Sequence, residues 1–288
     1  MSHRLLALVS GVLLAFPLCA QDTRLTVRQV IDRIKKTSGV PWTTPTVDTI
    51  KAGNVDAPVT GIAVTMMATL DVLQRAAASG KNLIITHEPT FYNHLDNTID
   101  LENQNDAVLA AKQLFIKEHN LIVWRFHDHW HARKPDGILL GMTRALGWQS
   151  FQNPKNENLF VIPEVTLNTL ASGIKEKLKI HALRVVGDPH MRVTEVGFLP
   201  GAAGSARQIQ ILERPDVEAL LIGETPEWET VEYVADAVTE GRRKALVILG
   251  HIPSEQGGMA ECTVWLKTFI SEVPIEFIPT AEPFKLPE

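Results

Sequence analysis

The stretch Asn82-Leu-Ile-Ile-Thr-His87 decides the fold. Its run of aliphatic and β-branched residues is too short for a helix and reads as a buried strand, which delivers His87 at its end. Before it, Val59-Thr-Gly-Ile-Ala-Val-Thr65 reads as a second buried strand, and Leu70 to Ala78 as a helix that stops at Gly80. After it the unit repeats: a helix from near Asn105 to Glu118, then the strand Leu121-Ile-Val-Trp-Arg-Phe126, which delivers His127. Upstream, Val27, Val30, Ile31 and Ile34 recur at helical spacing, and Gly39 with Pro41 ends that helix. Strand, helix and strand in this rhythm predict right-handed crossovers and a mainly parallel sheet.

The second half follows the same plan. Val193 to Leu199 reads as a strand before the turn Pro200-Gly-Ala-Ala-Gly-Ser205, and a helix follows. Val217 to Ile222 is a strand running into Gly223-Glu224, and Ala245 to Leu249 is another running into Gly250-His251. Asn153 to Asn158 is a polar, turn-rich joint between the halves. The expected architecture is α/β, with two similar lobes whose mainly parallel sheets face each other around a site. The first lobe takes residues 21–150 and the second 151–288.

Residues 1–20 read as a secretory signal peptide. His3 and Arg4 form a short positive region, Leu5 to Phe16 an apolar run too short to span a bilayer, and Pro17-Leu-Cys-Ala20 a small-residue end before Gln21. The expected location is therefore periplasmic or secreted. Cleavage after Ala20 would leave Cys262 as the single thiol, so neither an intramolecular disulfide nor a thiolate metal cluster is available. A formal net charge of −5 argues against a nucleic-acid binder held by phosphate neutralisation. No second long apolar run follows, so nothing anchors the mature chain in a membrane. With 45% hydrophobic and 21% charged residues, the composition is that of an ordinary globular protein.

Three strands stop at the same kind of residue. One ends in His87 and Glu88. A second ends in His127-Asp-His-Trp-His131, and a third leads to His251 and Glu255. In open α/β sheets ligands gather beyond the carboxyl ends of strands, so these distant segments can converge. Imidazole and carboxylate suit zinc, manganese, iron or nickel. His181 and His190 stand alone and are assigned no role. Each His-Glu pair by itself is as consistent with a surface ion pair. Five of the other eight histidines in these segments is a concentration that composition does not explain.

These motifs resemble the Ngg-one-interacting-factor-three-like family, whose members are often named GTP cyclohydrolase I type 2. That family's pattern is an apolar strand into Thr-His-His-Pro, then His-x-x-x-Asp-Ala, and late in the chain Gly-Glu followed by Gly-His-x-x-Ser/Thr-Glu. Here stand Ile85-Thr-His-Glu-Pro89, His127-Asp-His-Trp-His-Ala132, Gly223-Glu224 and Gly250-His-Ile-Pro-Ser-Glu255. The turn from Pro200 to Ser205 also matches. The resemblance implies two α/β lobes around a dinuclear metal centre holding two divalent ions, in chains that assemble as homo-oligomers, usually hexameric rings. It nominates His87, Glu88, His131, His251 and Glu255 as metal ligands. Two departures stand out: Glu88 replaces the second histidine of the usual pair, and His131 replaces the usual bridging aspartate. The count of three histidines and two carboxylates is thereby preserved. A slip in register would nominate His129 or Asp128 instead.

The implied chemistry is metal-assisted hydrolysis of a phosphoryl or acyl group on a small-molecule substrate. His127, Asp128 and His129 are candidates for general acid/base or supporting roles. An exported protein meets little GTP, so the family's nucleotide name does not transfer. The alternative is a metal-binding or regulatory ring without turnover. The turn from Gly201 to Ser205 reads as a tight turn, with phosphate binding before its helix as the other possibility.

Overall fold

The computed structural model describes residues 24–287, so the leader assigned to residues 1–20 lies outside the described residues. The chain begins with α1 (Val27–Thr37), held at its start by a capping box in which Thr26 and Gln29 exchange side-chain and backbone hydrogen bonds. A cap of this kind contributes about 1 kcal/mol. Val27, Val30, Ile31 and Ile34 form its buried stripe, as their spacing predicts.

The first sheet contains β1 (Ile50–Ala52), β2 (Ile62–Thr65), β3 (Leu83–Thr86) and β4 (Ile122–Arg125), together with the late strand β11 (Ile275–Phe277), in the order β1-β4-β3-β2-β11. All neighbours are parallel except β1, which runs antiparallel to β4. Every residue of β2, β3 and β4 is buried, as expected of central strands covered on both faces. The crossovers contain α2 (Leu70–Ala78), the short α3 (Ile99–Asn103) and α4 (Ala107–Glu118). Leu73 and Ala76 of α2 and Leu109 and Ile116 of α4 pack with Ile84 and Val123 to cover one face of this sheet.

Beyond β4 the chain makes α5 (Asp128–Ala132) and α6 (Gly137–Leu146). The second sheet then builds from β5 (Gln152–Asn153), β6 (Asn156–Thr166), β7 (Arg184–Val186), β8 (Arg192–Leu199), β9 (Ala219–Ile222) and β10 (Ala245–Ile248), in the order β5-β6-β8-β9-β10-β7. Its centre, β8-β9-β10, is parallel, whereas β5, β6 and β7 pair antiparallel. The joint from Asn153 to Asn158 is thus the turn of a hairpin rather than a linker. Helices α7 (Leu167–Leu178), α8 (Ser205–Leu212) and α9 (Glu232–Thr239) connect these strands.

The last helix, α10 (His251–Leu266), crosses α6 so closely that a Cβ on Gly141 would lie 2.3 Å from the Gly257 carbonyl oxygen. One core cluster joins Val64, Ile85 and Trp124 of the first sheet to Phe160, Phe198, Leu221 and Val247 of the second, with α6 and α10 contributing Met142 and Met259. The chain then returns to the first sheet as β11, paired with β2 through Ile275 and Ile62. The last strand therefore belongs to the first lobe, across the boundary expected at residue 151. No helix among the described residues is long and apolar enough to cross a membrane.

Candidate metal centre

The carboxyl ends of β3, β4 and β10 meet at the mouth between the lobes. His87 follows β3 directly and is fully buried, with its Nδ1 3.2 Å from the Phe126 carbonyl oxygen. A carbonyl only accepts, so Nδ1 carries the proton and the lone pair of Nε2 points into the cluster. His127 and His131 likewise carry a proton on Nδ1. His127 Nδ1 donates to Asp128 Oδ1 at 2.9 Å, and His131 Nδ1 to Asp136 Oδ2 at 2.9 Å. His251 opens α10, with Nδ1 3.4 Å from Glu224 Oε1 and Nε2 3.1 Å from Glu255 Oε2.

Nε2 of His87 and Nε2 of His131 lie 3.2 Å apart; burial lowers His131, but Asp136 and the charges of Glu255 and Glu88 raise it above the usual histidine value, so without metal its Nε2–H donates to the lone pair of His87 Nε2. A metal ion bound there would take the place of that proton. Nitrogen ligands about 2.0–2.1 Å from a tetrahedral cation are about 3.3–3.4 Å from each other, close to the spacing found. The ligand atoms of His87, His127 and His131 fall within 4.8 Å of one another, and so do those of His87, Glu88 and Glu255. Sharing of His87 makes these two adjoining groups, consistent with a dinuclear site. Glu88 Oε1 completes the set at 3.4 Å from His251 Nε2 and 3.6 Å from His127 Nε2.

Burial, then the charges of His127 and His131, pushes His87 well below the usual histidine range, which favours the neutral ligand form. Burial works to raise Glu88, but the hydrogen bond and charge of His251, followed by His127 and Arg125, hold it down at about 2. His251 is the reverse: burial lowers it, but hydrogen bonds to Glu224, Glu255 and Glu88 raise it to about 12. Without metal, His251 is thus the cation of a carboxylate cage, and a metal ion would have to displace its proton.

The structure brings together all five residues nominated as ligands and adds His127, whose Nε2 faces the cluster instead of standing behind it. Asp128 stands outside both groups of close ligand atoms. Its carboxylate orients His127 and accepts from Thr46 Oγ1 and the Val47 amide. The suggested acid/base role of His129 is corrected outright. Its Nδ1 bonds Asp48 at 2.7 Å, its Nε2 accepts from the Thr43 amide at 3.0 Å, and its ring stacks on Trp42 at 3.6 Å. Both nitrogens are used in holding the fold.

Three supporting residues escaped the sequence reading. Asp48, fully buried, accepts from the amides of His127, Asp128 and His129 and so fixes the start of α5. Asp136 caps α6 with Oδ1 while holding His131 with Oδ2. Arg125, also fully buried, donates to the carbonyls of His87 and His94 and pairs with Glu88. The turn after Pro200 serves Glu255: Gly201 adopts φ +64°, and a Cβ there would lie 2.1 Å from Glu255 Oε1. The cluster opens on a cavity of about 960 Å³ lined from both lobes, with Thr69 and Lys112 on one side and Ala203 and Arg207 on the other.

Imidazoles and carboxylates gathered in this way at the mouth between two α/β sheets define a metal-binding protein. The chain belongs to the Duf34/NIF3 (NGG1p interacting factor 3) family, whose model matches residues 26–283. It is 27% identical over 251 residues to a GTP cyclohydrolase 1 type 2 homolog of Chlamydia pneumoniae, covering 82% of this chain and 90% of that one. A Clostridium acetobutylicum protein of the same name is 24% identical over 217 residues, covering 72% and 76%. Among solved structures, a Staphylococcus aureus hypothetical protein superposes with a TM-score of 0.71 at 14% identity, covering 91% of this chain and 99% of that one. A Bacillus cereus protein related to NIF3 gives a TM-score of 0.70 at 14% identity, with the same coverage. At such identities the structural likeness concerns the fold.

Proposed function

We propose that this chain is an exported hydrolase that uses two divalent ions, zinc, manganese, iron or nickel, held by His87, Glu88, His127, His131, His251 and Glu255. The reading rests on one observation above others: histidine Nε2 atoms, each set by an acceptor at Nδ1, converge on two carboxylates where a large cavity begins. Bound there, a pair of divalent ions would polarise a phosphoryl or acyl oxygen and activate water at neutral pH. The protein's own part is orientation. Asp128 and Asp136 hold His127 and His131 with Nε2 toward the cluster, Arg125 steadies Glu88, and Gly201 lets the second lobe close on Glu255.

The breadth of the cavity favours a turnover site over a closed storage site, because a structural metal needs no room for a substrate. The relatives' name points to nucleotide chemistry, and the present reading keeps only its reaction class. Export is proposed from Leu5 to Ala20, and the homo-oligomeric ring from the family resemblance. Protein purified without chelator should carry up to two ions per chain, hydrolyse a member of a phosphoester and amide panel, and lose both properties on His251→Ala. Full metal content in that variant would refute the assignment. Full metal with no turnover on any substrate would leave a binding protein.

A further inference from the structure

The wall of the cavity holds a second cluster of polar atoms, outside the metal-binding set. Lys112, on α4, is only 4% exposed, yet it lines the same cavity as Glu88 and His127. Its ammonium has three protons to donate, and among the described residues one acceptor is found, the Thr90 carbonyl oxygen at 2.5 Å. It forms no ion pair among those residues. The Tyr92 and Phe91 rings lie beside it, at 5.2 and 5.9 Å from Nζ to the ring centroids. Burial pushes this lysine down to about 8, opposed only by the charge of Asp96.

Thr90 lines the cavity too, and its Oγ1 is buried without any hydrogen-bond partner. Asp96 and Arg125 hold the loop in place: Asp96 Oδ1 accepts from the amides of Thr90 and Phe91, and Arg125 donates to the His94 carbonyl. A buried ammonium with donors to spare, and an unpaired hydroxyl on the residue whose carbonyl it bonds, favour a group in the cavity that satisfies them. An oxyanion does so best, because it accepts from both and supplies the missing counter-charge.

We infer that Lys112 and Thr90 form an oxyanion-recognition site in the wall of this cavity, which takes a phosphate or carboxylate group of the bound ligand. The inference deepens the hydrolase reading and rests on it for the ligand's other end, since the reacting group would lie at the metal cluster. It defines the substrate class: a small molecule carrying an anionic group apart from its scissile bond.

The test is calorimetric titration of inorganic phosphate and of acetate into the metal-loaded protein and its Lys112→Met, Lys112→Arg and Thr90→Val variants, with metal content measured in each. The better-bound of the two anions distinguishes phosphate from carboxylate recognition. Lys112→Met should weaken binding at least about tenfold, and Lys112→Arg should keep most of it. Thr90→Val should weaken binding about threefold without lowering the melting temperature of the ligand-free protein, because its hydroxyl bonds nothing within the chain. Lys112→Met or Thr90→Val binding like the parent would overturn the inference, as would failure of both anions to bind below about 10 mM. Absence of metal would instead count against the hydrolase, while phosphate affinity would still report on Lys112.

Discussion

Asp136 serves two elements with its two oxygens: Oδ1 caps α6 at the amides of Ile138 and Leu139, and Oδ2 holds His131 Nδ1 at 2.9 Å. Asp136→Asn separates these roles. Asparagine caps about as well as aspartate, so thermal stability should barely change. With its oxygen engaged at the cap, it would present an NH₂ to His131, favouring the tautomer whose Nε2 is protonated and cannot ligate. Metal affinity should fall by about 10–100-fold. Competition with a chromophoric chelator reads this, and an unchanged affinity would show that His131 is not a ligand.

The exchange of ligand types at Glu88 and His131 makes a second prediction. Glu88→His alone leaves one carboxylate for two cations, and His131→Asp alone crowds three around them. The double variant restores the balance and should bind metal better than either single change. The coupling should be about 0.5–3 kcal/mol across the four proteins. Simple additivity would mean that the two positions do not share a ligand field.

How far the sequence leads can be judged residue by residue. His87, His127 and His251 were legible because each ends an apolar β-run, and the rule that ligands gather beyond strand ends needs no tertiary knowledge. Which way His127 and His129 face is not legible, because a one-residue step on a short helix turns a side chain by about 100° and only packing chooses the face. Trp42 and Asp48, some 80 residues away, claim His129. Asp48 is an isolated acid whose partners come from another element, so no local pattern marks it, and Asp136 before Gly137 reads locally only as a helix cap. β11 is three residues long behind Pro274 and carries no periodicity to detect. The antiparallel β6 escaped because only its polar start had been assigned, as a joint.

Linkage at His251 and Glu88 gives a pH signature for the metal-free chain. His251 rises from its usual 6.5 to about 12, so its contribution is complete below pH 6.5 and is lost progressively above it. Glu88 falls from 4.5 to about 2, so its contribution is present above pH 4.5 and is lost as pH drops toward 2. The difference in melting temperature between chelator-treated parent and His251→Gln should therefore be greatest from about pH 4.5 to 6.5. Metal affinity should run the other way and climb with pH, since loading must expel the His251 proton. A stability difference that grows from pH 6.5 to 9 would contradict the charged cage.

Gly201→Ala tests the wedge behind Glu255. The left-handed backbone alone costs an alanine about 1–2 kcal/mol. The added methyl also meets the Glu255 carboxylate, so metal occupancy should drop together with stability. The control is Gly204→Ala, also at positive φ, +83°, with nothing within 4 Å of the added carbon. It should lower stability and leave metal content intact.

The return of β11 to the first sheet bears on how a growing chain reaches its working form. Domains usually fold in order of synthesis, from the amino end. Here β2 is without its second parallel neighbour until Ile275 has emerged, and neither His251 nor Glu255 exists for most of the time the chain is being made. The first lobe waits as a sheet lacking one edge strand, with His87, Glu88, His127 and His131 in place and His251 and Glu255 still missing. A metal ion that arrived early would meet a loose, three-sided site able to release it. The full set of candidate ligands thus assembles only at the end, when α10 docks and β11 joins the first sheet.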